Sequence, residues 1–562
     1  MNIKDLFKLL SQTGKANGLA KNATITITQK DSITKKQAKA KSGSKDISST
    51  PKEQETIASV SNKSCQVSEQ PQLRKDPKAE TKDLHVSVDK MTPSQIQSDI
   101  AYSIDKEDSY YQQSDLIYTT NKDELSSLRK SSDTMITVGL DFGTHQTKVC
   151  IEGKGGVELD YLFMKFGGYG NRMYYTFPSI IGVGKDGILT YGFLPKNYDG
   201  EIIKYFKQAA FRSVSPNKKM SQEQAYYYSI WYISYILFEL EEVFGQNFTI
   251  QMGAPTDSIH IDVVKQIATR IIASSYRLVE DIFKNNKKEF LETDIETLKE
   301  LTELVAYSDE VKEEYGLLVF PEAYACLLPL ISQKKIATGM NLMIDIGGGT
   351  TDISFFTIEN EDGNVNGKPK PQVYDFYSIN KGLNYLTCAE DKDETILNSN
   401  IKDETEIVKQ RRKFFIDDVT NICNNIQNRL TSEFKLQTTL NTSRLFDALK
   451  NRPLIYCGGG STFSSLRVGY AGFIDKKQIS EKEWDVKSIP QFSEIKSKAL
   501  FPILSTSYGL AISAENDEIK TKPFRDIFEN IRGAMEDSNK KNSSFGEAYG
   551  GFNYADDWEA WK

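Results

Sequence analysis

The sequence predicts an α/β fold made of two related halves, and three stretches predict it. The first is Leu342-Met-Ile-Asp-Ile-Gly-Gly-Gly-Thr-Thr-Asp-Ile-Ser-Phe-Phe356. Leu342, Met343, Ile344 and Ile346 make a short apolar run suited to a strand covered on both faces. Gly347 to Gly349 follow, where glycine admits dihedrals and close backbone approach that other residues resist. A second β-rich run begins at Thr351, so the pattern is strand, tight turn, strand, with Asp345 before the turn and Thr350, Thr351 and Asp352 after it. The second stretch, Ile136-Thr-Val-Gly-Leu-Asp-Phe-Gly-Thr-His-Gln-Thr-Lys-Val-Cys-Ile151, repeats the design with Asp141, Gly143 and Thr144 between apolar strands. The third, Pro453-Leu-Ile-Tyr-Cys-Gly-Gly-Gly-Ser-Thr-Phe463, is again a strand running into glycines. Read alone, each turn fits a plain glycine-rich turn as well as a backbone cradle that aims N–H donors at a phosphate beside a hydrated metal ion. Two copies of the Asp, Gly, Thr turn point to two halves facing one nucleotide.

The chain has 562 residues, room for two or more domains. A net charge of −7 gives no support for general nucleic-acid binding. Charged residues make up 26%, as in an ordinary soluble protein, and no apolar run approaches the roughly 20 residues of a membrane span. The six cysteines (Cys65, Cys150, Cys326, Cys388, Cys423 and Cys457) form no C-x-x-C pair, and three sit inside apolar runs. The expectation is free, partly buried thiols in a reducing, cytoplasmic compartment. His85, His145 and His260 are far apart, so no structural zinc site is expected.

Residues 1–133 are expected to be largely disordered: Lys, Ser, Thr, Gln and Asp dominate and apolar clusters are few. Ile3, Leu6, Phe7 and Leu10 would share one face of a short amphipathic helix, either a docking element or a frayed terminus. The tyrosines of 102–118 belong to a docking motif or to a solvated linker. The first half is expected over 134–335, with strands at 135–141, 147–152 and 159–164. Phe248 to Pro255 reads as a strand, followed by a helix capped by Thr256, Asp257 or Ser258. Val264, Ile267, Ile271, Ser274 and Leu278 recur at helical spacing and would cover the sheet. Residues 281–314 are densely charged and read as an exposed helical insertion. The second half is expected over 336–515, with a strand at 371–377, a turn at Asn380-Lys-Gly382 and a mainly helical region at 383–450. Residues 516–562 read as a flexible tail whose end alternates aromatics with acids, a pattern suited to a linear docking motif.

The turns at Asp141 and Asp345 resemble the phosphate 1 and phosphate 2 motifs of the actin, Hsp70 and sugar-kinase superfamily of ATPases, and the resemblance covers about residues 135–515. It implies a two-lobed actin-like ATPase fold of duplicated ribonuclease-H-like domains. Phe177-Pro-Ser-Ile-Ile181 and the hairpin at 187–192 resemble the family's early strands. Leu317-Leu-Val-Phe-Pro-Glu-Ala-Tyr-Ala-Cys326 resembles the first connecting motif, and Leu500 to Ala511 resembles the second connecting helix, with Gly509 and Ala511 permitting close crossing. The stretch at 453–463 resembles the adenosine motif. By resemblance, Gly143, Thr144, His145, Gln146 and Thr147 and then Gly347, Gly348, Gly349, Thr350 and Thr351 hold the phosphates of ATP. Gly458, Gly459, Gly460, Ser461 and Phe463 hold the nucleoside. Asp141 and Asp345 hold Mg²⁺ through water. Lys207, with Lys204 as the alternative, reaches the γ-phosphate, and Glu322 orients the attacking water. The bland alternatives are a solvated lysine and an acid at a helix N-terminus.

The sequence departs from Hsp70 proteins at His145, at Phe463 and in the connecting motif, and no β-sandwich substrate domain follows. The implied activity is a slow, partner-stimulated ATPase that works as a conformational switch for a protein partner, docked through the terminal segments. A filament-forming actin-like protein is the alternative. A small-molecule kinase would need an acceptor-site base that the sequence does not identify. Neither direct nucleic-acid binding nor a transmembrane segment is expected.

Overall fold

Near-continuous apolar runs drive strand formation here, because only sheets covered on both faces can bury them. The computed structural model describes residues 118–528, apart from 156–157, 169–171, 196, 212–219, 256–257, 306–311, 313–314, 333–335, 337–338, 361–368, 388–405, 439, 485–486, 496–497 and 515–516. The helix expected at 1–10, most of the tyrosine-rich segment and the aromatic end of the tail lie outside the described residues.

One sheet contains β1 (Met135–Asp141), β2 (Gln146–Gly155), β3 (Glu158–Phe163), β4 (Thr249–Ala254) and β5 (Leu317–Pro321), in the order β3-β2-β1-β4-β5. The other contains β6 (Gly339–Ile346), β7 (Thr351–Asn360), β8 (Pro369–Ile379), β9 (Pro453–Cys457) and β10 (Asp475–Gln478), in the order β8-β7-β6-β9-β10. In each sheet the first three strands run antiparallel in succession, while the first, fourth and fifth run parallel. Order and sense coincide strand for strand, so the chain carries two copies of one topology.

The helices that matter to the site are α1 (Lys122–Ser126), α2 (Phe206–Phe211), α3 (Gln222–Phe244), α4 (Ile261–Arg277), α5 (Glu322–Ala325), α6 (Leu383–Thr387), α7 (Glu406–Gln437) and α8 (Leu500–Ala511). Ser221 and Gln224 form a reciprocal capping box that starts α3. Three cores result. Val138 and Leu140 of β1 meet Ile233 and Leu237 of α3 and Ile267 and Ile271 of α4. Leu342 and Ile344 of β6 meet the stripe Phe415, Val419, Cys423, Ile426 and Leu430 of α7, whose spacing of three and four residues is one helix face. Between the sheets, Met343 of β6, Phe163 of β3 and Cys457 of β9 pack with Cys326 after α5 and with Leu504 and Tyr508 of α8. Strand alternation sorts these side chains: neighbours on β6 point into different cores. Helices α5 and α8 approach so closely that a Cβ on Gly509 would lie 1.8 Å from the Ala325 carbonyl oxygen, which is why that crossing takes glycine.

Four expectations need correction. Residues 118–128 belong to the first half, because α1 buries Leu125 fully and Leu128 joins the same core. Residues 517–528 belong to the body of the protein. Asp517 pairs with Lys265 and Lys312 and accepts from the Val319 amide, while Phe524, Ile527 and Phe528 enter the second core. Helix α4 begins at Ile261 after His260, with no side-chain cap, and Ser258 instead donates to Asp375 at 2.8 Å. The charged insertion is anchored by Phe290 and Leu298, both buried in the first core. Among the described residues no helix is long and apolar enough to cross a membrane.

Candidate functional site

The β1–β2 and β6–β7 turns face each other across one cleft. Its lining includes Asp141, Lys148, Lys207, Glu322, Asp345 and Asp352 as charged groups. Each turn has its carbonyls held from behind. The Gly347 and Gly348 oxygens accept from the amides of Leu383 and Asn384, the first residues of α6, at 3.0 and 2.9 Å. In a trans peptide the N–H points opposite to the carbonyl, so the amides of Gly348 and Gly349 turn away from α6. Ser179 plays the same part for the first turn: its hydroxyl donates to the Gly143 oxygen at 2.7 Å and its amide to the His145 oxygen at 2.9 Å. Among the described residues no hydrogen bond takes up the amides of Thr144, Gly348 or Gly349. Unpaired turn amides of this kind form a nest for an anion.

The turns also touch. A Cβ on Gly349 would lie 2.5 Å from the Thr144 hydroxyl, and one on Gly348 would lie 1.8 Å from the His145 ring. His145 is partly buried, meets Tyr205 edge-on with centroids 5.5 Å apart, and leaves Nε2 enclosed without a hydrogen bond. Burial first, and then the neighbouring Lys204 and Lys148 charges, push its pKa down to about 4, so the ring is neutral at physiological pH.

Charge in the cleft is arranged in pairs. Lys148 Nζ sits 2.6 Å from Asp141, and Lys207 binds Glu322 directly. Both pairs are largely buried. Among the described residues Asp345 has no such cation. Burial, then the Glu322 and Asp141 charges, raise its pKa to about 7, with a smaller offset from Lys148. Burial likewise raises that of Glu322, against the lowering effect of Lys207. Thr506 of α8 donates to Asp345 at 3.4 Å. Gly458 stands so close over this carboxylate that a Cβ would lie 2.1 Å from Oδ1, and its φ of +76° is in the left-handed region.

The cleft gathers Asp141, Gly143, Thr144, His145, Gln146, Lys207, Glu322, Asp345, Gly347, Gly348, Gly349, Thr350, Gly458 and Gly459 from the sequence-derived set. It does not gather the others. Thr147 is fully buried and shares a hydrogen bond with Ser179, and the Thr351 hydroxyl donates to the Lys381 oxygen at 2.8 Å. Strand alternation turns both away from the cleft, whereas Lys148 and Asp352 face it. Gly460 lies against Ile346, the Ser461 hydroxyl donates back to the Gly458 oxygen, and Phe463 packs into the second core instead of presenting a face to a base. Lys204 is on the strand Glu201–Lys204 and is not part of the lining. Sequence reasoning missed Lys148, Ser179, Leu383, Ile503 and Thr506. Only Lys148 had a local signal, being the residue that pairs across the hairpin with Asp141.

No family model and no curated protein matches the chain. Among solved structures, MreB 5 of Spiroplasma citri bound to AMPPNP aligns with 73% of this chain and 99% of that chain, at 13% identity and a TM-score of 0.32. A likeness that low carries neither fold nor function, which rest on the duplicated strand order and the cleft.

The donor set fits a hydrated divalent cation. Asp141, Asp345 and Glu322 converge; burial and then the Glu322 and Asp141 charges raise the pKa of Asp345, and such an ion would relieve the repulsion between them. The unpaired amides and the two lysines fit a polyphosphate.

Proposed function

We propose that the chain is an ATPase of the actin, Hsp70 and sugar-kinase type, binding Mg·ATP between two lobes and using hydrolysis as a conformational switch. One observation carries this reading: two sheets that share one five-strand order present Asp141 and Asp345 from equivalent turns to a single cleft lined by unpaired amides. The amides of Thr144, Gly348 and Gly349 would donate to phosphate oxygens. Lys148 and Lys207 supply positive charge there once drawn from their carboxylate partners. Asp141 and Asp345 would hold magnesium through water, and the ion, when bound, offsets negative charge on the phosphates. Glu322, freed from Lys207, accepts a hydrogen bond from the attacking water and fixes its direction.

The lobes are joined where α5 crosses α8, and a buried amide cluster spans the cleft. Gln208 of α2 donates to the Gly349 oxygen at 3.1 Å and to Asn380, and accepts from Asn384 at 3.0 Å. Phosphate contacts shared by both turns would set the angle between the lobes, and loss of the γ-phosphate would relax it. That change is the output offered to a protein partner. Calorimetry and thermal shift with Mg·ATP test the reading: saturable binding and a higher melting temperature are expected, and neither appearing in purified full-length protein would overturn it.

A further inference from the structure

Six cysteines scattered along a chain with three distant histidines give no zinc pattern, yet folding brings two of them to one carboxylate. Cys326 directly follows α5, Cys457 ends β9, and Asp345 on β6 stands in parallel register with Cys457. One sulfur from each cysteine and a carboxylate oxygen of Asp345 all lie within 4.8 Å of one another. Both thiols are fully buried and Asp345 is nearly so. A fourth soft atom is adjacent, the Met343 thioether sulfur, 3.5 Å from the Cys326 sulfur. Among the described residues the first half has nothing comparable. There Leu140 pairs with Met252, so Gly253 occupies the place beside Asp141 that Cys457 occupies beside Asp345.

We infer that Cys326, Cys457 and Asp345 form a binding site for a thiophilic d¹⁰ divalent cation of the zinc and cadmium class, with Met343 at its edge. The bland account of a buried cysteine is a small apolar filler. It explains each thiol separately but not their convergence on a carboxylate. Zinc binds sulfur at about 2.3 Å and oxygen at about 2.0–2.2 Å, so donors on one ion stand roughly 3.5–4 Å apart. A set already confined within 4.8 Å closes on an ion by small side-chain rotations. Two thiolates and a neighbouring thioether select a soft cation over magnesium, which demands oxygen donors. On binding, both thiol protons leave to solvent and the two thiolates and one carboxylate become ligands.

Asp345 belongs to this site and to the nucleotide cleft alike. A cation on the two sulfurs therefore withdraws Asp345 from magnesium, so zinc would inhibit hydrolysis from the inner-core side of the cleft. This clause rests on the ATPase reading, whereas metal binding itself does not.

The test is a cadmium titration of the reduced, metal-stripped full-length protein without nucleotide, followed by thiolate-to-cadmium charge-transfer absorption. One cadmium per chain is expected. The band should be lost in Cys326→Ser and in Cys457→Ser and retained in Cys423→Ser and in a Cys65→Ser, Cys388→Ser double variant. Asp345→Asn should keep the band but bind at least tenfold more weakly. Cadmium NMR of the unaltered protein reads the donor set without any variant, so a folding defect in a serine variant leaves the inference testable. A shift typical of two sulfurs with oxygen supports the site. No band at one equivalent, a band indifferent to both serine changes, or an all-oxygen or four-sulfur shift overturns it. Zinc inhibition that magnesium reverses would add the regulatory clause, and hydrolysis unaffected by saturating zinc would remove that clause alone.

Discussion

The two Asp-Gly turns occupy the same place in two copies of one topology, yet they are furnished differently. In both, the residue paired across the hairpin with the aspartate comes seven positions later, and it is Lys148 in the first turn and Asp352 in the second. The first aspartate therefore faces a cation, while the second joins an accumulation of acids whose burial and repulsion raise the pKa of Asp345 to about 7. The contact between the turns is similarly lopsided. Thr144 and His145 supply side chains where Gly348 and Gly349 supply only backbone. The shared strand order sets the frame, and the residues that differ make one turn a source of side chains and positive charge and the other a receiver.

The largest effect should come from the aspartates. Replacing either Asp141 or Asp345 by Ala should lower Mg·ATP hydrolysis by roughly 10²-fold or more, measured as phosphate release under saturating substrate. Activity within a few-fold of the parent for one of them would mean that only the other turn holds the metal. Next is Lys148→Met, which strands a buried carboxylate and should destabilise the protein by about 3 kcal/mol in denaturant unfolding. A negligible change would show that solvent, and not Lys148, neutralises Asp141.

Smaller effects sharpen the contact between the turns. Gly348→Ala should weaken ATP binding roughly tenfold, and adding His145→Ala should restore part of it, because the methyl then enters the space left by the ring. Additive losses in this double-mutant cycle would show that the two positions do not meet. The smallest is a pH effect. The pKa of His145 is depressed in the folded state to about 4, from about 6.5 unfolded, so the unfolded chain takes up the proton first as pH falls. The stability it contributes is present above about pH 6.5 and is lost as pH drops toward 4. His145→Gln should flatten that part of a melting-temperature profile.

Much of the frame was legible because its signals are local. Apolar runs at 136–140, 342–346 and 453–457 with following glycines announce strands and tight turns without reference to anything distant. The same locality explains the errors. Thr147 and Thr351 look like phosphate ligands by neighbourhood, but a period of two sends them to the opposite face from Lys148 and Asp352. Phe463 looks like a nucleoside contact by its place beside the glycines, but its position after the turn delivers it to a core. Ser179, Leu383 and Thr506 act on turns tens or hundreds of residues away, and nothing in their own surroundings says so. The stretches 118–128 and 517–528 are polar on average, yet a few residues such as Leu125 and Phe524 are enough to fasten them.

The segment after α8 behaves as a strap. Asp517 is fixed to the first half through Lys265, Lys312 and the Val319 amide, while a few residues later the Lys522 amide donates to the Val373 oxygen and Phe524 stacks on Phe355 in the second. The short run between these anchors would act like a check-strap on a door, capping any swing of one half away from the other.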